Sequence, residues 1–382
     1  MTKKAILFLF LAGCLAGSAW SETSVGTITY VSGEVTVTRD GQALAAGRVR
    51  IGKPVEDYDL IRTGDKGLME LTVKTPRNES IQLKVRKNTA FTVEMGKLSN
   101  GKSSATFQMM SGTLACKVDR LSGSEVHIKT KTAAMGVRGT DFEVTTTPTE
   151  DLLVTCDEGE VVCRRDNGEE ESVKPGNVIE FLADEGKFNN LPVTRAELEK
   201  YREAWFVKRI EVFRAVAPKV VKGLSAAFDR SYNALVKSYN TLKRSGRIID
   251  KWKREDRSGR IGSLRELLRE KKQIIGALFR IKISLFAFEH VYYRLLELET
   301  YVDEGFGADD PAVKKFYRDL AAKKRTIEAM LADVTYIFKL YSKRNEGTFP
   351  ADMMGTDDDN FFDDDMKDDG VDDSKNLKNL LD

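Results

Sequence analysis

The spacing of apolar side chains changes once along this chain, near residue 193, from a period of two to a period of about 3.6. Before that point, segments such as 25–31, 68–73 and 141–145 alternate apolar or β-branched residues with polar ones. After it, apolar residues recur every three or four positions. Because strands have the first period and helices the second, the sequence predicts an all-β domain followed by a helical domain.

Turn residues separate the alternating segments at close intervals between residues 25 and 182. Glycine follows a polar residue at Gly33, Gly41, Gly101, Gly159 and Gly168, and no helical pattern intervenes. Many short strands joined by such turns are typical of all-β folds. A sandwich, a barrel or a short solenoid would each fit this pattern.

One segment of the β domain resembles a known family signature. Residues 132–144, Thr-Ala-Ala-Met-Gly-Val-Arg-Gly-Thr-Asp-Phe-Glu-Val, resemble the Gly-Val-Arg-Gly-Thr-x-Phe motif of the FecR family. Residues 33–37 and 59–71 resemble the opening of that domain, and residues 158–162 and 173–177 resemble its closing strands. The resemblance implies a periplasmic β domain with a solenoid-like or sandwich-like fold.

Named members of that family relay ligand occupancy from an outer-membrane receptor to a cytoplasmic sigma factor. Such a relay uses an N-terminal cytoplasmic segment and a membrane span, whereas a cleavable leader is predicted at the start of this chain. The sequence therefore favours a non-enzymatic envelope binding or scaffold protein. The alternative is a sensory module of the FecR type that acts with a separate membrane partner.

The predicted leader covers residues 1–21. Lys3 and Lys4 precede an apolar stretch, and Ala19 and Ser21 place small residues at the −3 and −1 positions of a cleavage site. An alternative is a lipobox at residues 11–14, in which Cys14 would be lipidated and would anchor the chain to a membrane. Both alternatives predict a periplasmic or envelope-associated protein, with soluble export favoured.

The signature turn supplies the first candidate binding residues: Gly136, Val137, Arg138, Gly139 and Thr140. Two glycines three positions apart permit backbone angles or close approaches that a side chain would forbid. The guanidinium of Arg138 has the geometry to bind a carboxylate or a phosphate. The alternative is structural, with Arg138 paired to Asp141 or Glu143 and fixing a bend between strands.

Capping signals divide residues 191–345 into helices. Thr194 with Glu197 and Ser263 with Glu266 have the spacing of capping boxes, and Asp310-Pro311 marks a further helix start. Pro218 should kink or end the first helix. Several apolar stripes on helices with short links predict an antiparallel bundle. The sequence leaves open whether this bundle packs on the β domain or shares only a linker around residues 183–192.

The helical domain is basic, with 34 lysines and arginines against 20 acidic residues between positions 194 and 344. The densest part is a link punctuated by glycine and serine, and its basic residues are Lys243, Arg244, Arg247, Lys251, Lys253, Arg254, Arg257 and Arg260. Because an exported protein does not meet nucleic acid, the predicted partner is an anionic lipid, an anionic cell-wall component or an acidic envelope protein. The alternative is an ordinary solvated helix face.

Residues 346–382 form a predicted disordered acidic tail. Positions 356–373 contain ten aspartates and one lysine, too few apolar residues for a core. Phe361 and Phe362 stand where a calcium loop needs its fifth ligand and its glycine, so a calcium site is not predicted. One hypothesis is that the tail lies across the basic helices and competes with an anionic partner. The alternative is a solubilising end.

Catalytic and metal signals are weak. The two histidines, His127 and His290, fall inside a predicted strand and a predicted helix, without neighbouring cysteines or a triad spacing. Beyond the leader, the cysteines are Cys116, Cys156 and Cys163; Cys156 and Cys163 either form a disulfide or, as the sequence favours, are small buried residues. No cofactor, metal or enzymatic activity is predicted.

Overall fold

A computed structural model describes residues 24–39, 42–75, 77–97, 102–119, 121, 123–137, 139–259, 262–344 and 349–350. Strands fill the part before residue 193 and four helices the part after it, as the change of period predicted. The leader, Cys14 and residues 351–382 lie outside the described residues. So do Arg138 and Arg260.

The strands are β1 (Ser24–Ser32), β2 (Val35–Arg39), β3 (Gln42–Ala43), β4 (Pro54–Glu56), β5 (Leu60–Thr63), β6 (Leu68–Lys74), β7 (Ser80–Val85), β8 (Ala90–Lys97), β9 (Ser103–Val118), β10 (Ser124–Lys129), β11 (Ala134–Val137), β12 (Asp141–Thr146), β13 (Leu152–Glu158), β14 (Val161–Arg164), β15 (Glu170–Val173), β16 (Asn177–Leu182), β17 (Lys187–Pro192) and β18 (Phe349–Pro350). The helices are α1 (Leu198–Lys243), α2 (Gly246–Ser258), α3 (Leu264–Asp303) and α4 (Pro311–Arg344), with a 3₁₀ turn at Ala46–Arg48.

The strands form two sheets that face each other across one apolar core. The order of the first sheet is β4-β1-β6-β7-β9-β12-β13-β16-β17. The order of the second is β3-β2-β5-β8-β9-β10-β11-β14-β15, with β9 and β10 parallel. From β5 onward the chain passes repeatedly from one sheet to the other. Of the three predicted arrangements, the sandwich is observed, with solenoid-like alternation of its strands.

Strand β9 belongs to both sheets. Its first half, up to Ser111, pairs with β8 and β10, and its second half, from Gly112, pairs with β7 and β12. Gly112 sits at the crossing point with a φ of 87°, and a Cβ placed there would lie 2.5 Å from the carbonyl oxygen of Asn88. The crossing therefore requires glycine, because it combines a left-handed backbone with a close approach.

The three cysteines of the sandwich are buried and free: Cys116, Cys156 and Cys163. Burial raises the pKa of the Cys156 thiol to about 11 and that of the Cys163 thiol to about 12. They serve as small apolar core residues, which the sequence favoured over a disulfide.

Three long helices form the helical domain. α1 runs antiparallel to α3, since Phe213 contacts Tyr301 while Phe228 contacts Phe288. α4 runs antiparallel to α3 as well, and the hydroxyl of Tyr317 donates to the Leu295 carbonyl. The apolar core of these helices is continuous with side chains from the β domain, among them Tyr58 and Met110. The two domains therefore pack together, and residues 187–192 of the suspected linker are strand β17.

Three local features differ from the sequence prediction. α1 continues through Pro218. The ring of Pro218 packs against Gly307, and a Cβ added to Gly307 would lie 3.0 Å from that ring. Thr194 donates to the Glu197 carboxylate, but the helix starts only at Leu198, so Thr194 is not its cap. The basic link is not a link: residues 246–258 form α2, because Ile249 and Trp252 bury one face of it.

The other helix starts follow the prediction. Ser263 and Glu266 form a reciprocal capping box at α3. Asp310 accepts hydrogen bonds from the backbone amides of Ala312 and Val313 at the start of α4. Both caps satisfy amides that have no partner within the first turn of a helix.

The Gly112→Ala substitution should lower the free energy of unfolding by about 2–5 kcal/mol, because it adds both backbone strain and a clash. Gly168→Ala is the matched control: its φ is 82°, but an added Cβ would meet no atom within 4 Å. That control should lose only about 1–2 kcal/mol. Equal losses in urea denaturation would contradict a tight crossing at residue 112.

Candidate functional site

The signature turn joins the two sheets. Gly136 and Val137 lie in β11, opposite Val162 and Val161 of β14, and Thr140 precedes β12 on the other sheet. Gly139 has a φ of 65°, so the chain reverses through a left-handed residue. The turn thus lies where the chain passes from the second sheet to the first.

Close packing against a second glycine shapes this turn. A Cβ on Gly159 would lie 2.5 Å from the carbonyl oxygen of Gly139. The two acids proposed as partners of Arg138 have other cations beside them: Lys117 lies 3.4 Å from Asp141, and Arg86 lies 2.7 Å from Glu143. Whether Arg138 binds a ligand or fixes the bend stays a prediction.

About half of the basic segment is used to hold helices together. Lys243 and Lys253 pair with Asp333 of α4, and Lys251 lies 2.7 Å from Glu270 of α3. Glu270 also accepts a hydrogen bond of 2.8 Å from the buried Trp252 indole. Lys251 and Lys253 hold α2 on α3 and α4, and Lys243 joins α1 to α4, so these charges already have acidic partners within the chain.

The remaining described members of the segment are exposed. Arg244 follows α1 directly, and Arg247, Arg254 and Arg257 lie on α2. No hydrogen bond or ion pair joins these four to the signature turn within the described ranges.

The helical domain contacts an acidic loop of the β domain, residues 56–59. Arg39 pairs with Glu56 at 2.6 Å and with Asp59 at 2.7 Å, and Lys339 of α4 pairs with the second oxygen of Glu56. The side chains of Asp59 and Glu56 are 0% and 7% exposed. Tyr58 between them packs on Phe338 of α4 with ring centroids 6.3 Å apart. We call this contact, together with Asp57, Glu94 and Lys282, the junction.

Asp57 extends the junction toward α3. Its carboxylate accepts a hydrogen bond of 2.8 Å from the Met95 amide, beside the ion pair between Glu94 of β8 and Lys282 of α3. Burial raises the pKa of Asp57 to about 8, and the nearby Glu94 charge adds to the rise while Lys282 opposes it. The junction therefore contains a carboxyl group that titrates near neutral pH.

A second buried contact lies at the start of α1. Arg209 donates to Asp151 at 2.7 Å, and the Asp151 side chain is fully buried. Asp151 also accepts from the Ala183 amide at 2.9 Å and from Thr149. Nearby, Arg202 lies 2.6 Å from Asp157 of β13. α1 is thus fixed to the first sheet by arginines, whereas a lysine fixes α4 to the acidic loop and another fixes α3 to β8.

Sequence reasoning missed the junction, although signals for it exist. Residues 56–59 read Glu-Asp-Tyr-Asp in the middle of a β pattern, which is a rare concentration of charge. Lys282 interrupts the most apolar stretch of the chain and Lys339 stands in the apolar stripe of α4. A charge inside an apolar stripe indicates a buried partner.

The histidines have structural positions. His290 is buried, its Nδ1 lies 2.9 Å from the Phe286 carbonyl oxygen of the same helix, and burial lowers its pKa to about 4. Burial also lowers the pKa of His127. Among the described residues, no group of three His, Cys, Asp or Glu side chains could hold a metal ion. In the same part of the chain, no helix has the length and apolarity to cross a membrane.

Comparison with known families agrees with the signature. Residues 59–162 match the family model described as FecR protein, which confirms the resemblance. This match runs from the acidic loop through the signature turn to β14. No curated protein matches the chain.

Two crystal structures of a candidate anti-sigma factor from Parabacteroides distasonis ATCC 8503 resemble part of the chain. One is 16% identical with a TM-score of 0.32, and the other is 15% identical with a TM-score of 0.31. Each alignment covers 37% of this chain and 63% of the other. The chain thus spans less than two thirds of the length of that protein.

Asp57 should make stability depend on pH. Its pKa rises from 3.8 to about 8 on folding, so the unfolded chain loses this proton at lower pH than the folded chain. The contribution of Asp57 to the free energy of unfolding therefore falls as pH rises from about 4 to about 8. In urea denaturation, Asp57→Asn should gain stability over wild type across that range. The control is the exposed Asp309→Asn, and parallel pH profiles of wild type and Asp57→Asn would contradict the assignment.

Removing one partner of the Arg209–Asp151 pair should be costly. Arg209→Met leaves a buried carboxylate without its cation and should lower the free energy of unfolding by about 3–5 kcal/mol. The double variant Asp151→Asn/Arg209→Met removes both charges and keeps an acceptor for the Ala183 amide, so most of the loss should disappear. If the double variant is as unstable as the single one in urea denaturation, the pair does not act as a unit.

Proposed function

We propose that the FecR-type domain of this chain belongs to a non-enzymatic signal-relay module of the periplasm. The β domain receives a binding event, and the helical domain presents the result to a separate membrane protein. The family match at residues 59–162 supports the regulatory role. The predicted leader supports the compartment, and it is the reason the membrane partner is a separate protein.

The single observation that carries this proposal is the buried charge between the two domains. The pairs Lys339–Glu56, Lys282–Glu94 and Arg209–Asp151 each join a helix to a strand or turn of the β domain. A displacement of these carboxylates must move the helices or leave charge buried without a partner. The matched segment contains Glu94 and Asp151, so a change within it reaches α1 and α3 directly.

An envelope scaffold is the second candidate function. It is favoured by the exposed arginines of α2, which suit an anionic lipid or cell-wall component. A scaffold needs only that both domains bind, whereas a relay needs the contact between them. This difference can be tested.

The test of the relay uses the Asp151→Asn/Arg209→Met variant in the native host. Removal of the protein should change a defined set of transcripts, and wild type should restore them. The double variant, shown to be folded and exported, should fail to restore them, because it lacks the buried ion pair that joins α1 to the β domain. A charge-neutral pair change on the surface, Glu170→Gln/Arg164→Met, is the control and should restore them.

A scaffold would give the opposite result. Full restoration by the double variant would reject the relay. A cross-linked pull-down before and after digestion of the cell wall then identifies the scaffold: its envelope components would be lost on digestion. Under the relay, a membrane protein should be recovered with or without digestion.

A further inference from the structure

One face of α2 carries an exposed excess of positive charge. Arg247, Arg254 and Arg257 lie within about 80° of one another around the helix axis, given 3.6 residues per turn, and the exposed Asp250 lies in the same arc. We call these three residues the arginine face. Arg257 donates to the Lys253 carbonyl of its own helix, while Arg247 and Arg254 have no ion pair with a described residue.

The side chains on the opposite side of α2 are buried or paired with neighbouring helices. Ile249 and Trp252 are 1% and 0% exposed, and Lys251 and Lys253 are paired with acids of α3 and α4. The helix is therefore rigidly held, with its arginines directed away from the bundle. Charge on a rigid element loses little conformational entropy when it binds an anion.

The end of α4 lies beside this helix. Arg344, its last residue, lies 3.0 Å from Glu255 of α2 and donates to the Trp252 carbonyl, and Lys343 lies 2.8 Å from Asp256. Strand β18 (Phe349–Pro350) pairs with Gly96 and Lys97 of β8, so the free tether to the ten-aspartate segment runs from Pro350 to Asp357. These seven residues span at most about 23 Å at ~3.3 Å per residue.

We propose that the acidic tail, residues 356–373, binds the arginine face of the same chain. Ten aspartates against one lysine complement three arginines on a rigid helix. Each exposed ion pair contributes only about 0.2–1 kcal/mol. The short tether, however, keeps the tail at a millimolar effective concentration, so weak pairs suffice. An external anionic partner must then displace the tail, which makes the tail a built-in competitor. This inference is independent of the relay.

The first test measures arginine accessibility in the full chain. Phenylglyoxal modification is followed by mass spectrometry in the wild-type chain and in a tail-neutral chain, whose ten aspartates between residues 357 and 373 are replaced by asparagine. At low salt, the arginine face should react about threefold or more slowly in wild type, and salt near 1 M should remove the difference. The exposed Arg195, at the far end of α1, is the internal control and should react equally in both chains.

The second test supplies the tail from outside. A labelled peptide of residues 356–382 should bind the tail-neutral chain more tightly than wild type, whose own tail competes. Binding should fall at least about tenfold in the tail-neutral chain carrying Arg247→Glu, Arg254→Glu and Arg257→Glu. The charge-matched control carries Arg195→Glu, Lys200→Glu and Lys208→Glu, three exposed positions at the other end of α1, and should lose far less.

Specific outcomes would overturn the proposal. Equal arginine reactivity in the wild-type and tail-neutral chains would show that the tail does not cover the face. An equal loss of peptide binding in the two triple variants would show a nonspecific charge effect. If the arginine face binds phosphatidylglycerol vesicles equally well in both chains and ignores the peptide, its occupant is a lipid surface.

Discussion

The position of the helices depends on carboxylates that the β domain buries and that pair with cations of the helices. Glu56, Glu94 and Asp151 each meet a lysine or arginine from a different helix. Taking such groups out of water costs several kcal/mol per ion, and the cost is recovered only at the correct geometry. The apolar contacts around Tyr58 would tolerate small displacements of a helix, whereas the ion pairs would not. Charge therefore selects one docked arrangement of α1, α3 and α4 on the sandwich.

The sequence predicts features that depend on neighbouring residues, and it misses contacts between residues far apart in the chain. Alternation of side chains, the Ser263 cap and the Asp310 cap involve neighbouring residues, so strands and helix starts follow from the sequence. The glycines and serines around α2 predict a link, although Ile249 and Trp252 have helical spacing. Lys339 and Glu56 are 283 residues apart, and only the completed fold brings them together. The signature residues are recognisable in the sequence, but the packing of Gly139 against Gly159 needs the fold.

The two predicted binding groups have different characters in the fold. The signature turn is tightly packed between the sheets, with Val137 and Thr140 buried. The basic segment is divided between lysines that tie helices together and arginines that face outward. Composition alone counts these cations equally, yet only the outward ones are available to a partner. The family match and the junction direct attention to the contact between domains, and the arginine face to a separate interaction of α2.

The limits of the segment that matches the family model differ from the limits of a unit that could fold. The matched segment, 59–162, begins at β5 and β6 but omits β2 and β1, which pair with them, and it ends before β16, which pairs with β13. Cut out at those limits, it would expose unpaired edges on both sheets, the usual template for aggregation. Because β9 belongs to both sheets, neither sheet can be completed before residue 118 is in place. The segment that matches the family model is thus shorter than the shortest segment that could fold with its strands paired.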